Sequence, residues 1–193
     1  MHKYSEILKF SGNGYDKLVY IDDTRQVVFS TNGQILMARK DLYPEVKVIA
    51  RLNGTEKPMI CDDSGVLSVT NTNNLDMSGI IPNVKEDYRK ISLTIPEWIT
   101  GIKKAKKDCF VYFTLGNTPT LSITRPSEVP FSIVNLRYLE FFAGKTVTAY
   151  VPSKERKALV FCPEGQELSS ADFFVLVMPI SDSNLPATKY LKE

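Results

Sequence analysis

Histidine is nearly missing from this chain: there is one, His2, in 193 residues. A residue so close to a terminus is a poor member of an organised site, so His-dependent triads and His-rich metal centres fall away together. Cysteine is scarce as well. Cys61, Cys109 and Cys162 form an odd, widely spaced set with no CxxC pair, which argues against a disulfide framework and a zinc site and predicts buried thiols in strands. No apolar stretch approaches the roughly 20 residues that a membrane-spanning helix needs. The start MHKYSEILKF lacks the apolar centre of a signal peptide, so the expected location is the cytoplasm, with no membrane partner. Low-complexity tracts are also lacking, and the net charge of +2 is too small to demand a nucleic-acid partner by itself.

What is present is the composition of a globular protein, with 43% hydrophobic and 24% charged residues. Alternation of β-branched and aromatic residues marks strands at 17–22, 25–31 and 34–42. Asp22-Asp23 and Asn32-Gly33 between them predict turns of an antiparallel meander. Further strands are expected at 45–52, 65–70, 109–115, 120–124, 129–134, 145–152, 157–162 and 172–180. Helical signals are short. Residues 4–10 carry a weak one. Residues 96–107 carry the best, with Pro96 at a first helical position and Trp98, Ile102 and Ala105 as the inward stripe. A third covers 135–144, with Asn135 as N-cap, Leu136, Leu139 and Phe142 inward, and Gly144 as terminator.

The turn-rich, mixed-charge stretch 71–90 reads as a connector, which predicts an N-terminal module over 1–78 and a C-terminal domain over 79–193. Beyond the connector, strand, short helix and strands occur twice in succession. That repeat of pattern predicts a pseudo-symmetric domain.

Read with its residues, this order resembles the last domain of the bacterial DNA polymerase β sliding clamp family, in a shortened, phage- or mobile-element-like form. Gly79, Pro82 and Tyr88 stand where that family has its connector motif. The strand TLSIT, the segment FSIVNLRYLEFF with Asn135, Tyr138 and Leu139, and the Met-Pro strand FVLVMPI follow in the family's order. Upstream, KLVYIDDTRQVVFSTNGQILM is similar to the family's strand and Thr-Asp-Gly turn, with Asn32 in place of the Asp. The resemblance implies an α+β, sheet-rich, DNA-clamp-like fold of antiparallel curved sheets with a few short helices on one face. It further implies a non-enzymatic processivity factor for DNA replication that binds duplex DNA non-specifically, docks DNA polymerase or clamp-loader peptides and forms a homo-oligomer. Departures are the reduced length and the tail ISDSNLPATKYLKE beyond the Met-Pro pair.

Two sets of residues follow. Lys103, Lys104, Lys106 and Lys107 fan across the helix face opposite the predicted apolar stripe. Charge pattern alone makes that a solvated face; the resemblance makes it a phosphate-binding face. Phe173–Leu176 read as a core strand, whereas the resemblance makes Val177, Met178, Pro179 and Ile180 the floor of a peptide groove. Methionine suits such a floor because a flexible thioether repacks around different apolar anchors. No cofactor or metal is implied.

Enzymatic readings are weaker. Asp22-Asp23 and Asp62-Asp63 adjoin turn residues, and neighbouring side chains on a strand point to opposite faces. SGNGYDK at 11–17 lacks the Lys-Ser/Thr of a phosphate loop. Two other readings stay open: a clamp-fold adaptor that binds replication proteins without forming a ring, and a β-rich ligand-binding domain.

Overall fold

The computed structural model describes residues 2–11, 17–75, 80, 82, 84, 88–100, 110–114, 120–122, 132–152 and 157–180, with 110–114 and 120–122 described by their backbone. Two compact units are present: Met1–Asn83 with Gln166–Leu176, and Val84–Gly165 with Val177–Glu193.

In the first unit, β1 (Leu18–Asp22), β2 (Val27–Thr31) and β3 (Ile35–Arg39) form the expected antiparallel meander. Both predicted turns are made by side chains. Asp22 accepts hydrogen bonds from the N–H groups of Thr24 and Arg25, at 3.0 and 3.2 Å, and Arg25 closes back onto the same carboxylate. Asn32 accepts from the N–H groups of Gln34 and Ile35, while Gly33 takes a φ of +83° that favours glycine. Sheet order in this unit is β5, β4, β1, β2, β3, β12, where β4 is Met59–Cys61, β5 is Leu67–Val69 and β12 is Phe173–Val177, whose last residue is grouped with the second unit. The β4–β5 turn is held by Asp62, which accepts from Ser64 and from the N–H of Val66, and Asp63 pairs with Lys17. Asp62 therefore serves the turn, and Asp63 an ion pair beside it.

The strand expected at 45–52 is instead α1, Tyr43–Leu52. Val46, Val48, Ala50 and Leu52 alternate, and that period of two produced the strand reading. The chain uses a spacing of four: Val46 and Ala50 are buried, whereas Val48 is 54% and Leu52 82% exposed. Pro44 in the first turn, Glu45 beside it and Arg51 in the last turn all favour the helical alternative. Residues 4–10 form successive turns rather than a regular helix, although Tyr4, Ile7, Leu8 and Phe10 are buried. The short strand β4 has only three residues and too little pattern to be seen in advance.

The second unit shows the expected repeat as a pairing rule. Its strands are β6 (Tyr88–Thr94), β7 (Phe110–Thr114), β8 (Thr120–Ser122), β9 (Ser132–Asn135), β10 (Thr146–Pro152) and β11 (Leu159–Pro163). The opening strand of each repeat pairs with the middle strand of the other: β6 with β10, and β9 with β7. Each middle strand then carries its own hairpin partner, β11 on β10 and β8 on β7. The two three-stranded arrangements are topologically equivalent, as a pseudo-two-fold requires. The connector expected over 71–90 is shortened by β6, which begins at Tyr88.

The helix expected over 135–144 is two 3-10 turns, Leu136–Tyr138 and Glu140–Phe142. Its sequence signals nonetheless have their assigned roles. Asn135 caps the first turn by accepting from the N–H of Arg137 at 3.1 Å, Leu136, Leu139 and Phe142 are buried, and Gly144 leaves the segment at φ +73°. At 96–107 the described part corrects the predicted stripe. Ile95 and Ile99 are buried and Trp98 is 43% exposed, so Trp98 does not point inward. Cys61 and Cys162 are buried free thiols. Burial, first, and the neighbouring Asp62 push the Cys61 thiol above its ordinary range. Among the described residues no helix is long and apolar enough to cross a membrane.

Candidate docking site at the Met-Pro end of the last strand

β12 is buried on both faces, with Phe174, Val175, Leu176 and Val177 all enclosed, as its uninterrupted apolar run predicts. The strand stops at Val177. Pro179 has no N–H to continue a ladder. Met178 is 39% exposed, while Pro179 and Ile180 are half-buried. Of the four residues assigned to a groove floor, Val177 is thus packing, and Met178, Pro179 and Ile180 present the surface.

A backbone hydrogen bond fixes this segment within the second unit. The N–H of Ile180 donates to the carbonyl of Ile133 at 2.7 Å. Ile133 lies on β9, two residues before the capping Asn135, so Ile180, at the end of the Met-Pro motif, meets the strand that leads into the Asn135 motif although the two are far apart in the sequence. Their motif residues divide into support and surface. Leu136, Tyr138 and Leu139 are buried, and the Arg137 guanidinium lies over the Tyr138 ring at 5.2 Å. Among the described residues no cluster of His, Cys, Asp and Glu is arranged to hold a metal ion. The chemistry offered is that of an apolar contact surface, with a flexible thioether at its most exposed point.

Lys103, Lys104, Lys106 and Lys107 lie outside the described residues, as do residues 12–16 of SGNGYDK and the tail beyond Ile180. What reading along the sequence missed is Trp98. The available signal was Ile95 and Ile99 at a spacing of four, which gives an inward pair without the tryptophan.

No family model matches this chain. No curated protein matches it either. Among solved structures the chain is similar to DNA polymerase III subunit beta from Borrelia burgdorferi, in complex with a natural product, at 15% sequence identity and a TM-score of 0.47, covering 85% of this chain and 54% of that one. The chain spans about half the length of that subunit.

Proposed function

We propose that this chain is a sliding-clamp-like processivity factor for DNA replication, which tracks duplex DNA through phosphate contacts and docks peptides of a polymerase or clamp loader. Lys103, Lys104, Lys106 and Lys107 meet the phosphates in this reading, and Met178, Pro179 and Ile180 form the peptide surface, with Val177 anchoring it from below. The observation that carries it is the hydrogen bond between Ile180 and Ile133, which brings together the two sequence motifs most characteristic of the resemblance. The exchanged pairing of β6 with β10 and β9 with β7 is further support, because it gives the repeated pattern a common architecture.

Phosphate contacts of this kind are independent of sequence and release counterions, so affinity for duplex DNA falls steeply with salt. Replacing the four lysines by alanine is expected to weaken duplex binding and to flatten the plot of log affinity against log salt, by about 0.9 for each phosphate no longer neutralised. Fluorescence anisotropy on a labelled duplex across a salt series measures both. Affinity that does not respond to salt, or a variant that binds as tightly as the parent, overturns the tracking claim. The exposed Met178 also favours a second reading, an adaptor that docks peptides without tracking DNA. It predicts peptide binding lost on Met178→Ala and unchanged when the lysines are replaced.

A further inference from the structure

Leu52 is the most exposed large apolar side chain among the described residues, at 82%, and Val48, one helical turn before it, is 54% exposed. Neither belongs to a frayed end. Asn53 N–H donates to Ile49 O at 3.1 Å, Gly54 N–H to Arg51 O at 3.0 Å and Thr55 N–H to Ala50 O at 3.0 Å, so the last turn of α1 is closed on fixed backbone. At about 100° per residue, Val48 stands about 160° from both Val46 and Ala50, directly away from the core. Pro44 and Leu52 lie one turn to either side of it, and Pro44 is exposed too. The three form one apolar row, at a spacing of four, on the outward side of the helix.

Two exposed charges flank this row, Glu45 and Arg51. They lie about 60° to opposite sides of Val48, toward opposite ends of the helix, on a diagonal that crosses the row. The Glu45 carboxylate is held by Lys3 and by the Tyr4 hydroxyl at 3.2 Å, yet its side chain remains 47% exposed, and a carboxylate accepts more bonds than those two. The Arg51 guanidinium makes no hydrogen bond or ion pair among the described residues, and acts on Asp23 only at longer range.

An apolar row with an acid and a base placed diagonally across its centre is complementary to itself. Laying two such rows parallel sets the helices at about 50°, the commonest packing of helices in globular proteins. A two-fold axis near Val48 then brings Glu45 of one copy beside Arg51 of the other, twice, while Val48 and Leu52 of both are withdrawn from water. The row alone would suit any apolar partner; the diagonal of charges selects a second copy.

We propose that the outward face of α1 is a two-fold interface between two copies of this chain. The patch is small, with three apolar side chains and two charges on each copy, so the dimer is weak and reversible, with a dissociation constant on the order of 10–100 μM. The inference uses neither the lysine segment nor the Met-Pro end, and does not rest on the DNA or the peptide reading.

Sedimentation velocity of the full chain, from well below to well above that range, is expected to show monomer passing to dimer. Leu52→Asp should stay monomeric throughout. Glu45→Lys should weaken the dimer roughly 5- to 50-fold, because two pairs turn from attraction to repulsion, and Arg51→Glu should do the same. The deciding sample is an equimolar mixture of those two single variants. In the mixed dimer the introduced lysine faces the introduced glutamate and native Arg51 faces native Glu45, so the mixture should associate like the parent although neither variant does so alone. Circular dichroism checks that each variant keeps its helix, and recovery in the mixture shows it independently. A chain that stays monomeric throughout overturns the inference. Association that survives Leu52→Asp overturns it too, by assigning the contact to another surface such as a strand edge. Association lost in Leu52→Asp but indifferent to both charge reversals, or not recovered in the mixture, overturns the two-fold pairing. None of these outcomes alters the duplex or peptide measurements, which judge the proposed function separately.

Discussion

The N–H of Ile180 donates to the carbonyl of Ile133 at 2.7 Å, and this one bond fixes the chain just beyond the last strand against β9. It separates two neighbours in role. Val177 is enclosed, whereas Met178 stands 39% exposed on the stretch that the bond holds. Val177→Ala is expected to lower stability by about 1–3 kcal/mol, and Met178→Ala to change it by no more than about 0.5 kcal/mol. In the docking reading the order reverses for binding: Met178→Ala loses affinity for short linear peptides of polymerases, while Val177→Ala keeps most of it once folded. Urea denaturation and fluorescence anisotropy check the two halves.

Helix α1 offers a test of its phase. Val46 is buried and Val48, two residues on, is 54% exposed, as only a helix would arrange them. Val46→Ala is expected to destabilise by about 1–3 kcal/mol, and Val48→Ala to stay within about 0.5 kcal/mol. Equal losses would contradict the helix.

Asp22 terminates β1 and satisfies two backbone N–H groups as well as the Arg25 guanidinium. Asp22→Ala leaves those donors to find other partners at a cost of about 1–3 kcal/mol. Asp22→Asn keeps an oxygen for the backbone and loses the partly exposed ion pair, a cost of about 0–1 kcal/mol. Denaturant midpoints of the two variants separate turn capping from charge pairing.

Acid should loosen the first unit. The Lys47 ammonium bonded to Asp23, helped by the Tyr43 hydroxyl at 2.8 Å, holds that carboxyl below its ordinary range, and Lys3 does the same for Glu45, with Tyr4 helping. A carboxylate depressed by folding adds stability that is complete above its unfolded value, near 4, and is lost as pH falls through the lower folded value. Thermal unfolding midpoints are therefore expected to decline from about pH 5 downward. Asp23→Asn combined with Glu45→Gln should make that decline shallower. A slope unchanged by both substitutions would remove these pairs as its cause.

Local rules carried most of the fold. The meander from β1 to β3 was legible because strand period and turn chemistry agree, Asp22 and Asn32 each bonding the backbone two and three residues on. The strands of the repeated pattern were legible too, whereas the helix expected over 135–144 is two 3-10 turns and residues 101–109 of the other lie outside the described residues. Where two periods fit one stretch, periodicity alone had no means to choose. Residues 45–52 satisfy both an alternation and a spacing of four, and the burial of Val46 and Ala50 decided for the helix.

The sequence by itself determined the β1–β3 meander, the turns at Asp22 and Asn32, the Asn135 cap and the apolar core of the last strand, because each depends on residue type and near neighbours. Tertiary structure alone decided that β6 pairs with β10 and β9 with β7, that Ile180 meets Ile133, and that Trp98 stands 43% exposed while Ile95 and Ile99 are buried. Those outcomes join residues far apart in the chain, or depend on what surrounds a side chain in the folded protein. Local periodicity contains neither kind of information.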